Sequence, residues 1–205
     1  MPLEHHIEIG GGVLLTWSLT DDAEFKKWAI KYRYYPAFLR LNSTKRKKEW
    51  IAMQRLLHEV GLDSSKIYYN DQGKPFVNHV QYKYISISHS KNSVGIFLHP
   101  ERNVGIDIET KTRNFKGIAH KYLSEHELEI AHRVPDGLAF FWCIKEAMFK
   151  VVGIPMPEFN PYNDVFISLV DEKVQASVDC RPNSFFELFR LEFGEQIILC
   201  VLEHV

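Results

Sequence analysis

Hydrophobic and polar positions divide the chain into short strands and a few longer helices. Val13–Ser18 is a short apolar run after three glycines and predicts a buried strand, with Gly10-Gly11-Gly12 as a flexible lead-in. From Asp21 the segment DDAEFKKWAIKYRYY turns helical, with an acidic start and a stop before Pro36. A second helix is predicted over Lys45–Val60, ending at Gly61, because Trp50, Met53, Leu56, Leu57 and Val60 recur at helical spacing. Short extended pieces follow at Ile67–Tyr69 and Lys74–Val77, around the turn-forming Asn70-Asp71-Gln72-Gly73. Tyr84–Ser88, Ser93–Leu98 and Val104–Glu109 then read as strands. Helical patterning returns over Ile118–Tyr122, Ser124–Val134 and Gly137–Val152. Ser124 with Glu127 three residues later forms a capping-box signature. Strands close the chain at Val165–Val170, Val174–Val178, Phe185–Phe193 and Gln196–Leu202. Helices followed by strands occur once in each half, which predicts an α+β protein without a long linker.

The 205 residues are 45% hydrophobic and 25% charged, enough for a core of ordinary size. With 25 Lys and Arg against 26 Asp and Glu, the net charge of −1 argues against a protein that coats nucleic acid or an anionic membrane. No apolar run reaches the roughly 20 residues of a membrane span, and the N-terminus lacks the basic and apolar regions of a signal peptide. Cys143, Cys180 and Cys200 lie far apart and are odd in number, as suits a reducing, cytoplasmic setting.

Four stretches carry candidate chemistry. In Gly105-Ile106-Asp107-Ile108-Glu109, strand periodicity projects Asp107 and Glu109 from one face and turns Ile106 and Ile108 to the core. Two adjacent carboxylates raise each other's proton affinity unless a cation neutralises them, and Mg²⁺ favours such oxygen ligands. Read alone, the pair fits a solvent-facing acidic edge strand better than a metal site. In Phe141–Lys150, Glu146 and Lys150 stand one helical turn apart. That spacing suits a surface ion pair worth about 0.3–0.5 kcal/mol, yet so apolar a helix should be buried, and a buried acid and base cost stability unless they have a task. Ser86-Ile87-Ser88-His89-Ser90 ends a strand with several hydrogen-bonding groups that could face a phosphate, although His89 alone fits an ordinary loop residue. Gly73-Lys74-Pro75, read alone, is a turn, without the remaining residues of a Walker loop. Other patterns fail: His126 and His132 are six residues apart, about 600° around a helix, and do not share a metal.

Taken in order, GKP-F at 73–76, SISHS at 86–90, VGIDIE at 104–109 and W-x-x-KEA-x-x-K at 142–150 resemble the 4′-phosphopantetheinyl transferases, most closely the monomeric Sfp type. The resemblance runs from about residue 70 to 153 and includes Lys121-Tyr122-Leu123-Ser124 with Glu127. It implies two pseudo-symmetric α/β halves, residues 1–102 with the coenzyme A adenylate contacts and 103–205 with the metal site and catalytic helix. It also implies transfer of the 4′-phosphopantetheine arm of coenzyme A to a serine of an apo acyl- or peptidyl-carrier protein, releasing 3′,5′-ADP. Asp107, Glu109 and Glu146 would then hold Mg²⁺, with Mn²⁺ an alternative. Glu146 would take the serine proton, and Lys150 would stabilise charge on the departing phosphate. Coenzyme A would meet Lys74, Ser88, His89, Lys145 and Lys150, together with Arg46 and Arg55 of the basic helix. In the family an arginine commonly stands two places before a Leu-Leu pair. This chain has Gln54 there and Arg55 one place later, about 100° round the helix. Two other functions share these residues. One is a Mg²⁺-dependent phosphoesterase, disfavoured as a nuclease by the neutral net charge. The other is a non-catalytic binder of coenzyme A or a carrier protein, against which the intact Asp107, Glu109, Glu146 and Lys150 weigh.

Overall fold

The computed structural model describes residues 3–204; Met1 and Pro2, part of the N-terminus read above as lacking a leader, lie outside the described residues. The first half contains strands β1 (Leu3–Ile9) and β2 (Gly12–Ser18) and helices α1 (Asp22–Tyr32), α2 (Pro36–Leu39) and α3 (Thr44–Glu59). Strands β3 (Ile67–Tyr69), β4 (Pro75–Val77), β5 (Tyr84–His89) and β6 (Ser93–His99) follow. They form an antiparallel six-stranded sheet in the order β1-β2-β6-β5-β4-β3. The second half contains β7 (Val104–Thr110), α4 (Glu125–Ala131), α5 (Gly137–Val152), α6 (Pro161–Asp164), β8 (Val165–Val170), β9 (Lys173–Val178), β10 (Phe185–Phe193) and β11 (Gln196–His204). Its sheet has the order β10-β11-β7, and β8 and β9 form a separate hairpin. No described helix is long and apolar enough to cross a membrane.

The strand periodicity builds four layers. Leu15, Ile85, Ile96 and Leu98 point from one face of the first sheet onto Ala52, Leu56 and Leu57 of α3. Leu14 and Phe97 point from the opposite face onto Ile106, Ile108, Ile198 and Cys200 of the second sheet. Ile197, Leu199 and Val201, offset by one residue, face α5 through Ile144, Ala147, Met148 and Val151. Thus β7 lies between α5 and the first sheet, buried on both sides. It meets α5 at Gly105, where a Cβ would stand 2.1 Å from the Ala147 carbonyl oxygen. Because side chains two apart share a face, Asp107 and Glu109 also look toward α5.

Several elements differ from the sequence reading, among them the short helices α2 and α6, for which no pattern is read. The glycine run is a hairpin turn: Ile9 pairs with Gly12, and Gly10 and Gly11 take left-handed φ angles of +55° and +83°. The strand it closes, β1, went unread because most of its residues are only half-buried or exposed. The helical patterning at Ile118–Tyr122 amounts to one 3-10 turn at Ala119–Lys121, and the helix read over Ser124–Val134 stops at Ala131.

Candidate active site

The free edge of β7 meets β5 through side chains instead of a strand ladder. Ser86 Oγ accepts from the Ile106 N–H at 3.1 Å, and Ser88 Oγ accepts from the Ile108 N–H at 3.3 Å. The two serines thereby satisfy backbone donors that an edge strand leaves open. Ser88 also donates to Asp107 Oδ1 at 3.0 Å. Lys150, from α5, donates to the same oxygen at 3.1 Å and to the Ile106 carbonyl at 2.6 Å. Asp107 is 6% exposed, and its second oxygen, Oδ2, is buried without a hydrogen-bond partner among the described residues.

Glu109 and Glu146 stand beside it. Glu109 is ion-paired with Arg113, whose guanidinium lies 4.3 Å from the centre of the Trp142 ring. Burial raises the Glu109 pKa and the Asp107 charge adds to this, while Arg113 and Trp142 pull it back. Glu146 accepts from the Tyr162 hydroxyl at 2.8 Å. Its pKa is also raised, by burial first, with the Tyr162 bond opposing and Asp107 reinforcing. Among the described residues no ion pair joins Glu146 to Lys150, because each has another partner.

A divalent cation suits the chemistry of this donor set. All three groups are carboxylates, two with raised proton affinity, and the third has a buried oxygen with no hydrogen-bond partner among the described residues. Arg113 and Tyr162 hold Glu109 and Glu146 apart from one shared point, and no described cluster of three His, Cys, Asp or Glu forms a closed ligand set.

The phosphate-facing candidates divide into two groups. His89 ends β5 beside the basic start of α3. Partial burial lowers its pKa; Glu49 opposes this, and Arg46, Lys150 and Lys45 add to it. Arg46 is exposed there and pairs with Glu49 at 3.0 Å. A cleft of about 390 Å³ runs past His89, Ser86 and the Gly73–Pro75 turn on one side and Phe149, Lys150 and Gly153–Met156 on the other. Arg55 and Lys145 do not reach it. Arg55 pairs with Glu59 at 3.1 Å and lies 4.1 Å from the Trp28 ring centre of α1, because the one-residue offset from Gln54 turns it to that side. Lys145 is 1% exposed, donates to Glu127 at 2.7 Å and to the Val165 carbonyl, and faces away from the cleft. Lys74 lines the cleft, but its ammonium is turned to Asn103 and to the Val151 carbonyl at 2.7 Å.

Residues 103–201 match the 4′-phosphopantetheinyl transferase superfamily. The matched residues, just under half of the chain, include Asp107, Glu109, Glu146 and Lys150. The 4′-phosphopantetheinyl transferase AcpT of Salmonella typhimurium strain LT2 is 32% identical over 115 residues, 53% of this chain and 60% of the relative. The AcpT of Escherichia coli K12 is 33% identical over 117 residues, 53% of this chain and 59% of the relative. The chain therefore spans less than two thirds of the length of these curated relatives. Lys74, Ser88 and His89 lie before the superfamily match.

Sequence reasoning missed Arg113 and Tyr162, which hold two of the three carboxylates. Arg113 lies four residues past Glu109, beyond the end of its strand, where no periodicity applies. Tyr162 comes from a segment without a pattern, and only the fold brings it to Glu146.

Proposed function

We propose that this chain transfers the 4′-phosphopantetheine arm of coenzyme A to a serine hydroxyl of an apo carrier protein, releasing 3′,5′-ADP. The observation that carries this reading is Asp107, bonded to Ser88 and to Lys150 and left with one buried oxygen that has no partner among the described residues, next to a cleft lined by Lys150 and His89. The AcpT relatives, named as 4′-phosphopantetheinyl transferases, add to it. On this reading Asp107, Glu109 and Glu146 hold Mg²⁺ or Mn²⁺, and the bound ion supplies charge neutralisation for the pyrophosphate. His89 and Arg46 meet the 3′-phosphate of coenzyme A, and Ser88 keeps Asp107 oriented. Glu146 has a carboxylate whose proton affinity is raised by burial, which suits it to accept the proton of the attacking serine. Attack forms the serine–phosphorus bond and breaks the pyrophosphate bond. Lys150 Nζ then faces the oxygen that gains charge on the leaving 3′,5′-ADP.

The reading includes the monomeric Sfp type, with pseudo-symmetric halves that divide near residue 102 and the substrate held between them. It also takes the chain to act in a reducing, cytoplasmic compartment, in keeping with three free thiols. The test is intact mass spectrometry of apo carrier proteins incubated with the protein, coenzyme A and Mg²⁺. A mass gain equal to one phosphopantetheine arm, abolished by chelator, is expected. Coenzyme A binding without any gain would point to a binding protein, and hydrolysis of phosphodiesters without coenzyme A to a phosphoesterase.

A further inference from the structure

The last four carbonyls of an α-helix have no partner within it, and partial negative charge collects there. At the end of α5, the helix that carries Glu146 and Lys150, three side chains from three separate segments take up two of these groups. Val151 O accepts from Lys74 Nζ and from Asn103 Nδ2, each at 2.7 Å. Val152 O accepts from Arg181 Nη2 at 2.8 Å. The donors are themselves tied together. Asn103 donates to Glu203 Oε2 at 2.9 Å and accepts from Lys74, and Arg181 is ion-paired with the same carboxylate. Ser184 completes the set with a 2.9 Å bond to Glu203 Oε1. Gly153, in the left-handed region at φ +67°, leaves room for the Lys74 chain: a Cβ there would stand 2.6 Å from Lys74 Cδ.

Lys74 is the only member of this set that comes from the first half. Lys74 lines both this cleft and a second cavity beside Asn103 and Arg181, and its ammonium donates to the Val151 carbonyl at the end of the helix. We propose that Lys74 is a positioning residue, which with Asn103 and Arg181 locks the end of α5 to the first half and so fixes Lys150 against Asp107 and the cleft. Lys150 immediately precedes Val151, so a shift of that carbonyl moves its backbone directly. On this assignment the lysine of the Gly-Lys-Pro turn acts on the rate through α5 and does not bind the substrate's phosphate. Its effect on transfer rests on the function proposed above; its effect on the helix does not.

The experiment compares wild type, Lys74→Met and Arg181→Gln. Arg181 does not line the cleft that holds His89 and Lys150; with Lys74 and Asn103 it lines a second cavity of about 660 Å³, so it reports on the network from outside that cleft. Hydrogen exchange of the amides in the last turn of α5, read on the protein alone, is expected to speed up in both variants. With an apo carrier, kcat is expected to fall about 10- to 100-fold in Lys74→Met, the scale of a small misplacement of reacting groups. The KM for coenzyme A should stay within about twofold, since no binding group is lost. A raised KM and weaker coenzyme A binding in Lys74→Met, with kcat and helix exchange unchanged, would overturn the assignment and make Lys74 a substrate ligand. Unchanged helix exchange in both variants would overturn it whatever the activity. If wild type transfers nothing, the proposed function fails while the exchange data still decide whether Lys74 and Arg181 hold the helix.

Discussion

Two lysines of α5 one turn and a residue apart, Lys145 and Lys150, sit in opposite electrostatic surroundings. Lys145 is fully buried, and its partner Glu127 is satisfied on all sides. Glu127 accepts from Lys145, from the Ile167 N–H at 3.0 Å and from Ser124 in the capping box. Lys150 is partly exposed and shares Asp107 with Ser88, and that carboxylate keeps one buried oxygen without a hydrogen-bond partner among the described residues. Both pairs join a helix to a strand or helix beside it. A buried pair whose bonds are all made holds the fold and offers nothing to a ligand. A pair with an unmet acceptor, flanked by two carboxylates of raised proton affinity, is arranged for something that arrives from outside.

The comparison breaks most sharply at Glu146. Glu146→Gln keeps the shape and the Tyr162 contact but removes the base, so the transfer rate should fall by about 10²–10⁴-fold while the unfolding midpoint in urea barely moves. Lys145→Met should do the reverse. It leaves Glu127 buried with one fewer partner and costs about 3–5 kcal/mol of stability by urea denaturation. Combining it with Glu127→Gln should recover part of that loss. A smaller effect is expected from Tyr162→Phe. Loss of the bond that lowers the Glu146 pKa should move the acidic limb of the pH–rate profile to higher pH, with the plateau rate changed less than in Glu146→Gln.

A separate effect, on the pH dependence of stability, concerns Lys74. Burial, with Arg181 adding and Glu203 opposing, lowers its pKa from 10.5 to about 8. Between these values the unfolded chain binds the proton that the folded chain has released. Stability should therefore rise with pH across this window, and Lys74→Met should flatten the rise. Urea midpoints collected from neutral pH to about pH 10 read both slopes.

The sequence made much of this legible where a local rule applied. Strand alternation put Asp107 and Glu109 on one face, and helical spacing put Glu146 and Lys150 on the same side of α5. The capping box at Ser124 and Glu127 forms as its spacing implies. Lys145 was harder to read, because its neighbour in the chain is a site residue and only the packing of β8 turns it inward to Glu127. Arg55 is separated from the cleft by a single step of helical rotation, and what fixes that step is Trp28, from another helix. Tyr162, Asn103 and Arg181 act through contacts between distant segments, for which a periodic pattern carries no signal.

The claim on which the comparison stands is that the unmet oxygen of Asp107 is a cation ligand. Calorimetric titration of Mg²⁺ into the protein with coenzyme A present, for wild type, Asp107→Asn and Lys145→Met, tests it directly. Saturable binding in wild type, retained in any folded Lys145→Met protein and lost in Asp107→Asn, is the predicted result. Equal binding by wild type and Asp107→Asn, or no binding by wild type, would contradict it.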